Sequence, residues 1–279
     1  MANKILEKRI LRSDLFYFVA EASELAKKAE AGQFVIVRAD ENGERIPLSL
    51  ANIDPDRGTI SLLVQTIGVT STKLSTLNVG DEIKDIAGPM GHKTPIEKYG
   101  RVILVGGGFG AAPLYPIGRA MKEAGNAVVS ITGARSENLL VYEKELGEFS
   151  DKVLISTDDG SKGHKGLVTE VLKQEIEENG ADLVIAIGPA IMMKFASLTT
   201  KPYGVKTLVS LNPIMVDGTG MCGACRVSVG GKTMFGCTDG PDFDGHLVDW
   251  DLLMSRQRTY LAEEKKAMEA YTRGSAPSS

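Results

Sequence analysis

All three cysteines of this 279-residue chain fall within sixteen residues, at Cys222, Cys225 and Cys237. The spacing is Cys222-x2-Cys225-x11-Cys237, and Asp217 stands five residues before Cys222. A plant-type [2Fe–2S] site is spaced C-x4-C-x2-C…C. The stretch matches at every position except the first, where a carboxylate replaces the thiolate. Gly218, Gly220 and Gly223 give a short loop the backbone freedom to wrap a cluster. Three thiolates and one carboxylate complete two tetrahedral irons. The reading is therefore a [2Fe–2S] cluster held by Asp217, Cys222, Cys225 and Cys237. A carboxylate is a harder ligand than a thiolate and shifts the cluster potential. A structural zinc site and three ordinary reduced thiols are the alternatives. Zinc commonly draws on paired C-x2-C knuckles or on histidines, and His246 is the only histidine nearby. For Asp217, the alternative to ligation is capping its own loop.

The rest of the chain is long enough for two domains. Apolar residues make up 43 % and the net charge is −4, which suits a globular protein and gives nucleic acid no basic surface. No run of 18 apolar residues suggests a membrane span, and no signal peptide opens the chain. Cysteines used as metal ligands fit a reducing setting, so a cytoplasmic location is expected.

Residues 1–98 read as six short strands and one short helix. The strands are Lys4–Arg12, Phe16–Ala20, Gln33–Arg38, Ile46–Ala51, Thr59–Gln65 and Glu82–Ile86, with turn signals between them. The expected fold is a small antiparallel β-barrel. Gly68-Val-Thr70-Ser71-Thr72 precedes the helix near Ser71–Leu77. A helix start with free amides favours an anion, although plain N-capping explains the same hydroxyls. Arg45-Ile-Pro47-Leu48-Ser49 lies at a strand start.

Residues 99–210 alternate strand and helix, which predicts a five-stranded parallel α/β sheet. Gly106-Gly107-Gly108-Phe-Gly110-Ala111 falls between the first strand and first helix and satisfies G-x-G-x-x-[GA]. Tight packing of helix on sheet is the alternative use of those glycines. The acidic residue that usually ends the second strand of a dinucleotide fold is missing, and Gly133-Ala134-Arg135 stands there.

Residues 211–250 carry the cysteine loop, a hairpin turning at Gly230-Gly231, and a turn-rich loop, Asp239–Gly245. Residues 251–279 are expected to form one helix, about Leu252–Tyr271, and a disordered tail from Thr272. His92, His164 and His246 share no spacing and receive no catalytic role.

These motifs together resemble the ferredoxin–NADP reductase superfamily. Its R-x-Y-S and G-x-[ST]-T motifs are similar to Arg45–Ser49 and Gly68–Thr72 here, with Leu48 in place of tyrosine and one residue more in the frame. Gly88-Pro-Met-Gly91 resembles its interdomain linker. Gly188-Pro189 and Thr157-Asp158-Asp159-Gly160 resemble its nicotinamide-binding turns. The domain order resembles two relatives within it: the electron-transfer subunit of type B dihydroorotate dehydrogenase, and the small subunit of NADH-dependent reduced ferredoxin:NADP oxidoreductase (sulfide dehydrogenase beta subunit). Asp217 in place of the first cysteine favours the second.

The resemblance implies an antiparallel β-barrel flavin domain, an α/β nicotinamide domain and a small C-terminal [2Fe–2S] segment. FAD would be held by Arg45, Pro47, Leu48, Ser49, Leu63, Val64, Gln65, Gly68, Thr70, Ser71 and Thr72. NAD(H) would be held by Gly106, Gly107, Gly108, Gly110, Ala111, Ala134, Arg135, Asp158, Asp159, Gly188 and Pro189. It further implies a larger flavin/iron–sulfur partner subunit, similar to the glutamate synthase small subunit, through which ferredoxin and NADP(H) are reached. Flavin-based electron bifurcation would occur at this subunit's FAD. Hydride transfer to a flavin needs positioning rather than a protein base, so no catalytic base is expected. The interface with the partner is expected near Asp239–Gly245 and the last helix.

Overall fold

The structure is a computed structural model that describes residues 3–274. Its first part holds strands β1 (Asn3–Arg12), β2 (Leu15–Glu21), β3 (Phe34–Arg38), β4 (Arg45–Asp54), β5 (Thr59–Gln65), β6 (Glu82–Ile83) and β7 (Asp85–Met90), with helices α1 (Ser23–Ala26) and α2 (Val69–Thr76). They form one antiparallel sheet in the order β6-β1-β2-β5-β4-β3-β7. Seven strands replace the expected six, because the segment after residue 81 breaks at Lys84. Glu82–Ile83 pairs with β1 and Asp85–Met90 with β3, so the two sheet edges are consecutive in the chain and the sheet rolls into a near-barrel. Alternation sends Val35, Val37, Leu50, Leu62 and Val64 inward, where they meet Ile5, Phe18 and Leu74 of α2.

The second part holds β8 (Arg101–Gly107), α3 (Ala111–Glu123), β9 (Ala127–Ala134), α4 (Glu143–Gly147), β10 (Lys152–Thr157), β11 (His164–Lys165), α5 (Val168–Asn179), β12 (Leu183–Ile187), α6 (Ala190–Thr200) and β13 (Lys206–Ser210). The third part adds β14 (Arg226–Val229), β15 (Lys232–Phe235), β16 (Asp242–Asp244), α7 (Trp250–Arg256) and α8 (Leu261–Thr272). The second sheet runs β11-β10-β9-β8-β12-β13-β16. Its central strands are apolar on both faces, as a parallel sheet sandwiched by helices requires; Val102, Ile103, Leu104 and Val105 are all buried.

Three expectations are corrected here. The sheet has seven strands, not five, because the two-residue β11 and the antiparallel β16 join its edges. The loop expected over Asp239–Gly245 is thus partly a strand. Phe243, its one large apolar residue, pairs with Val209 and enters a core with Val248 and Trp250. Three residues of this segment, Asp242–Asp244, thus form the edge strand of the protein's own sheet. The single last helix is also corrected, to α7 and α8. Between them the Thr259 hydroxyl donates to the Arg256 carbonyl at 2.6 Å, a local bond that competes with helix continuation. Thr272 closes α8, and the tail residues 275–279 lie outside the described residues.

One face of the second sheet shares a core with the barrel, through Tyr17, Val19 and Ala51 against α3 residues Ala111, Leu114 and Ile117. The other face packs α5, α6, the β14–β15 hairpin and α7. Gly230 and Gly231 turn that hairpin with φ of 59° and 76°, the positive values that a two-residue turn of this hand needs. Among the described residues, no helix is long and apolar enough to cross a membrane.

Candidate cofactor sites

The barrel contains a cleft of its own. β4 and β5 pair from Asp54–Thr59 to Leu50–Leu62 and stop there. Arg45–Ser49 then pairs with β3, and Leu63–Gln65 with β2. The strands splay, and their facing edges keep backbone N–H and C=O groups free of each other. α2 starts at the mouth of this cleft. Its first-turn amides have no intrahelical acceptor. Ser71 Oγ accepts from the amides of Ile67 and Gly68 at 3.0 and 3.1 Å, and the Thr72 hydroxyl donates to the Gly68 carbonyl at 2.9 Å. Those two hydroxyls therefore work as caps, which leaves the helix-start amides and Arg45 as anion donors. Arg45 is exposed and forms no ion pair among the described residues. Leu48, at the usual tyrosine position, lies across from Val35 and packs toward the barrel core, so Arg45, Pro47 and Ser49 face outward. A cavity of about 770 Å³ adjoins that face, lined in part by Ile36, Arg38, Arg45 and Asp85. Unpaired strand edges, a free helix start and an unpaired arginine fit an elongated heteroaromatic ring with a pyrophosphate, as in a flavin dinucleotide.

A second group of loops lies along the carboxyl edge of the parallel sheet. The order β10-β9-β8-β12-β13 reverses between β8 and β12, and ligands of such sheets bind at this switch point. The glycine loop sits there after β8, and Gly188-Pro189 after β12. The glycines divide between the two uses expected of them. A Cβ on Gly110 would lie 2.4 Å from the Ile187 carbonyl oxygen, and one on Gly107 would meet Pro189 and Met192 at 3.0 Å, so these pack. Gly108 has φ +55° and nothing within 4 Å of where its Cβ would stand, so it faces open space. On the adjacent strand the buried Thr132 hydroxyl has no hydrogen-bond partner among the described residues, and Thr132 is the register neighbour of Gly106. Sequence reading overlooked Thr132, one of two hydroxyls, with Ser130, in a buried strand. Farther along, the Asp158 amide donates to the Ala134 carbonyl at 3.2 Å and the Asp159 amide to that of Arg135 at 3.1 Å. These bonds hold the β9 and β10 loops abreast. Asp159 is held below the usual carboxylate range by hydrogen bonds from Ser161. An open glycine cradle and an orphan buried hydroxyl at a switch point fit a dinucleotide.

The cysteine loop forms two donor pairs. Cys225 and Cys237 are buried, with their sulfurs 3.1 Å apart. Burial, and then the hydrogen bond from Cys225, push the Cys237 thiol up to about 12. Cys222 is exposed beside Asp217. Asp217 accepts from the Thr219 amide at 2.7 Å and from the Cys222 amide at 3.2 Å. These bonds, the Thr219 amide foremost, hold its carboxyl below the usual range. Capping is thus real, yet each carboxylate oxygen keeps a further lone pair. Among the described residues, no three His, Cys, Asp or Glu side chains converge as a single-ion site. Two pairs of donors suit a two-iron cluster better than the four-about-one arrangement of zinc. The loop rests on the barrel, with Cys225 and Cys237 packed against Phe34 and Ile36 of β3.

A barrel with splayed strands beside a free helix start, an α/β sheet with a switch-point glycine loop and a cysteine loop packed on the barrel define an electron-transfer oxidoreductase module. Residues 104–198 match the oxidoreductase NAD-binding domain, and residues 212–249 match the iron–sulfur cluster binding domain of dihydroorotate dehydrogenase B. A Thermotoga maritima protein, the dihydroorotate dehydrogenase B (NAD(+)) electron transfer subunit homolog, is 48 % identical over 96 % of this chain and 95 % of its own. The corresponding electron transfer subunit of Shouchella clausii is 34 % identical over 86 % of this chain and 94 % of its own. A solved structure of NADH-dependent reduced ferredoxin-NADP oxidoreductase, described as giving insight into flavin-based electron bifurcation, matches with a TM-score of 0.92 and 46 % identity over 98 % of both chains. The chain belongs to the family of dihydroorotate dehydrogenase B electron transfer subunits and their homologues.

Proposed function

We propose that the protein is the NAD(H)-linked flavin/iron–sulfur subunit of a bifurcating NADH-dependent ferredoxin:NADP oxidoreductase. The observation that carries this reading is the placement of the cysteine loop on β3, the strand paired with the β4 edge of the flavin cleft. Ile36 pairs with Pro47 of the cleft, and its side chain meets the loop at Gly218. The loop therefore rests on a strand that lies one strand spacing, roughly 4.8 Å, from β4 of the cleft. Bound in these sites, FAD supplies the conversion between two-electron and one-electron transfer and a [2Fe–2S] cluster supplies a one-electron relay. Arg45 and the α2 amides hold the flavin's phosphates. Gly108 lets a nicotinamide dinucleotide approach the backbone. Asp217, Cys222, Cys225 and Cys237 ligate the cluster, and the packing of Phe34, Ile36 and Phe235 around Cys225 and Cys237 keeps water away from it.

The second reading is an electron-transfer subunit of an NAD-dependent dihydroorotate dehydrogenase. Identity weighs on both sides, 46 % to the ferredoxin-NADP oxidoreductase structure and 48 % to the Thermotoga maritima protein that carries the dihydroorotate subunit's name, and Asp217 in place of the first cysteine is what favours the first. Both readings place the protein in the cytoplasm, in complex with a larger subunit. The test is purification of the native complex from its own host under anaerobic conditions. A larger flavin/iron–sulfur subunit, and NADP reduction that requires NADH and reduced ferredoxin together, support the proposal. Dihydroorotate oxidation by the complex selects the second reading, and a lone colourless monomer defeats both.

A further inference from the structure

We propose that Tyr142 ties the loop after β9 to the flavin barrel and so acts as a positioning residue for hydride transfer between dinucleotide and flavin. The inference rests on the nicotinamide reading above, which puts Arg135 at the start of that loop. Tyr142 is the one non-glycine residue with positive φ among the described residues, at φ 63° and ψ 17°. A bulky side chain crowds its own backbone in this left-handed region, so the conformation persists only where the surroundings impose it. The seat of the ring imposes it here. Tyr142 is 8 % exposed, in the core that Tyr17 and Val19 of β2 share with Ala111, Leu114 and Ile117 of α3. Tyr115 of α3 meets the ring edge-on, with centroids 6.2 Å apart and planes at 71°. Burial, and next the nearby Tyr17 hydroxyl, push the Tyr142 phenol up. Tyr17 in turn pairs with Leu63, on the β5 edge of the flavin cleft. Of residues 135–142, Tyr142 alone is buried. The other ties of the loop stay within the α/β domain: the Arg135 carbonyl accepts from the Asp159 amide at 3.1 Å, and the Glu137 amide donates to Ser161 Oγ at 2.7 Å. Hydride transfer moves two electrons and a hydrogen nucleus from NADH to the flavin and leaves NAD+ and reduced flavin. The reacting atoms must be held about 3–3.5 Å apart, yet the two cofactor sites belong to different domains. A ring wedged between the barrel and the nucleotide loop fixes one relative to the other.

The experiment has two readouts on the FAD-loaded protein. Hydrogen exchange without dinucleotide reports the loop itself. Tyr142→Asn removes the ring and keeps a residue that tolerates left-handed φ. Its amides 136–141 should exchange about tenfold or more faster than in wild type, while those of β9 and β12 keep the wild-type rate. Stopped-flow reduction by NADH reports position. Tyr142→Asn should lower the limiting rate about tenfold or more and move the half-saturating NADH concentration by less than about threefold, since the glycine loop is untouched. Tyr142→Phe, which keeps the ring, should stay close to wild type in both readouts. Tyr115→Leu, at a half-buried position, removes the edge contact and should move both readouts the same way by a smaller factor; it carries the test if Tyr142→Asn does not fold. Wild-type loop exchange in Tyr142→Asn, a rate loss matched by an equal loss of NADH affinity, or a Tyr142→Phe protein as impaired as Tyr142→Asn overturns the proposal. If NADH reduces wild type and Tyr142→Asn alike, the role of Tyr142 fails and the nicotinamide site stands. If NADH fails to reduce wild type, the site and the inference fall together.

Discussion

Gly218 lies so close to Ile36 that a Cβ on it would stand 2.5 Å from Ile36 Cγ1. The contact joins the cysteine loop to β3, and β3 is bonded to the Arg45–Ser49 edge of the flavin cleft. It places the loop over the face of β3 that carries Ile36, next to the β4 edge of the cleft. Gly218 also has φ +76°, so a side chain there is strained as well as crowded.

Gly218→Val should cost about 1–3 kcal/mol of local strain and push the loop away from the barrel. Iron content per chain should fall while flavin content holds. Equal iron content in wild type and variant would count against the seating of the loop on β3.

Asp217→Ala removes both a proposed ligand and the caps on the Thr219 and Cys222 amides, and should lose or destabilise the cluster. Asp217→Cys should still assemble a [2Fe–2S] cluster, with its EPR and potential moved toward the all-thiolate type. An unchanged spectrum and potential in Asp217→Ala would show that Asp217 is a cap and nothing more.

Arg45→Ala should lower flavin occupancy of purified protein, since it removes the unpaired cation of the cleft. Ser71→Ala tests the other role of that loop. It strips the acceptor of the Ile67 and Gly68 amides and should cost about 0.5–2 kcal/mol of stability, seen as a lower Tm even with flavin saturating.

Two glycines of one loop should behave oppositely. Gly110→Ala drives a Cβ against the Ile187 carbonyl and should destabilise the fold by about 1–3 kcal/mol. Gly108→Val projects into open space, so the fold and flavin content should persist while NADH reduction slows sharply. Unimpaired reduction in Gly108→Val would make the loop a packing element only.

Glu175 is buried between Lys152, at 2.8 Å, and Arg101. Burial pushes its carboxyl up, but the hydrogen bonds from Lys152 and Arg101 outweigh it and leave the carboxyl below its ordinary value of 4.5. A lowered folded value means the contribution is complete above about 4.5 and is lost as pH falls through that lower value. Glu175→Gln should therefore lower stability at pH 7 by about 1–3 kcal/mol and flatten the acid limb of a Tm-against-pH curve. A variant with the wild-type acid limb would place that limb on other carboxylates.

Short-range chemistry was legible in the sequence. The cysteine spacing pointed to an iron–sulfur segment, and residues 212–249 match such a domain. Short strands with turn signals, against alternating strands and helices, separated the barrel from the α/β sheet, because turn residues and helix-length apolar segments are written in neighbouring residues. The G-x-G-x-x-A string located the switch-point loop for the same reason.

Tertiary structure decided what depends on distant partners. Asp239–Gly245 reads as a turn because its glycines, proline and aspartates are turn formers, and only the edge of β13 makes Asp242–Asp244 a strand. The splay of β4 from β5 leaves no local mark, since it is the end of a pairing between residues a dozen apart. Gly108 and Gly110 are the same residue two positions apart in sequence. One is open and the other packed because Ile187, far along the chain, lies against one of them. Sequence by itself determined which chemistries this chain carries, since ligand type and spacing are local properties. The fold decided which residue of each motif meets a ligand and which meets the protein, because that depends on what the rest of the chain places opposite it.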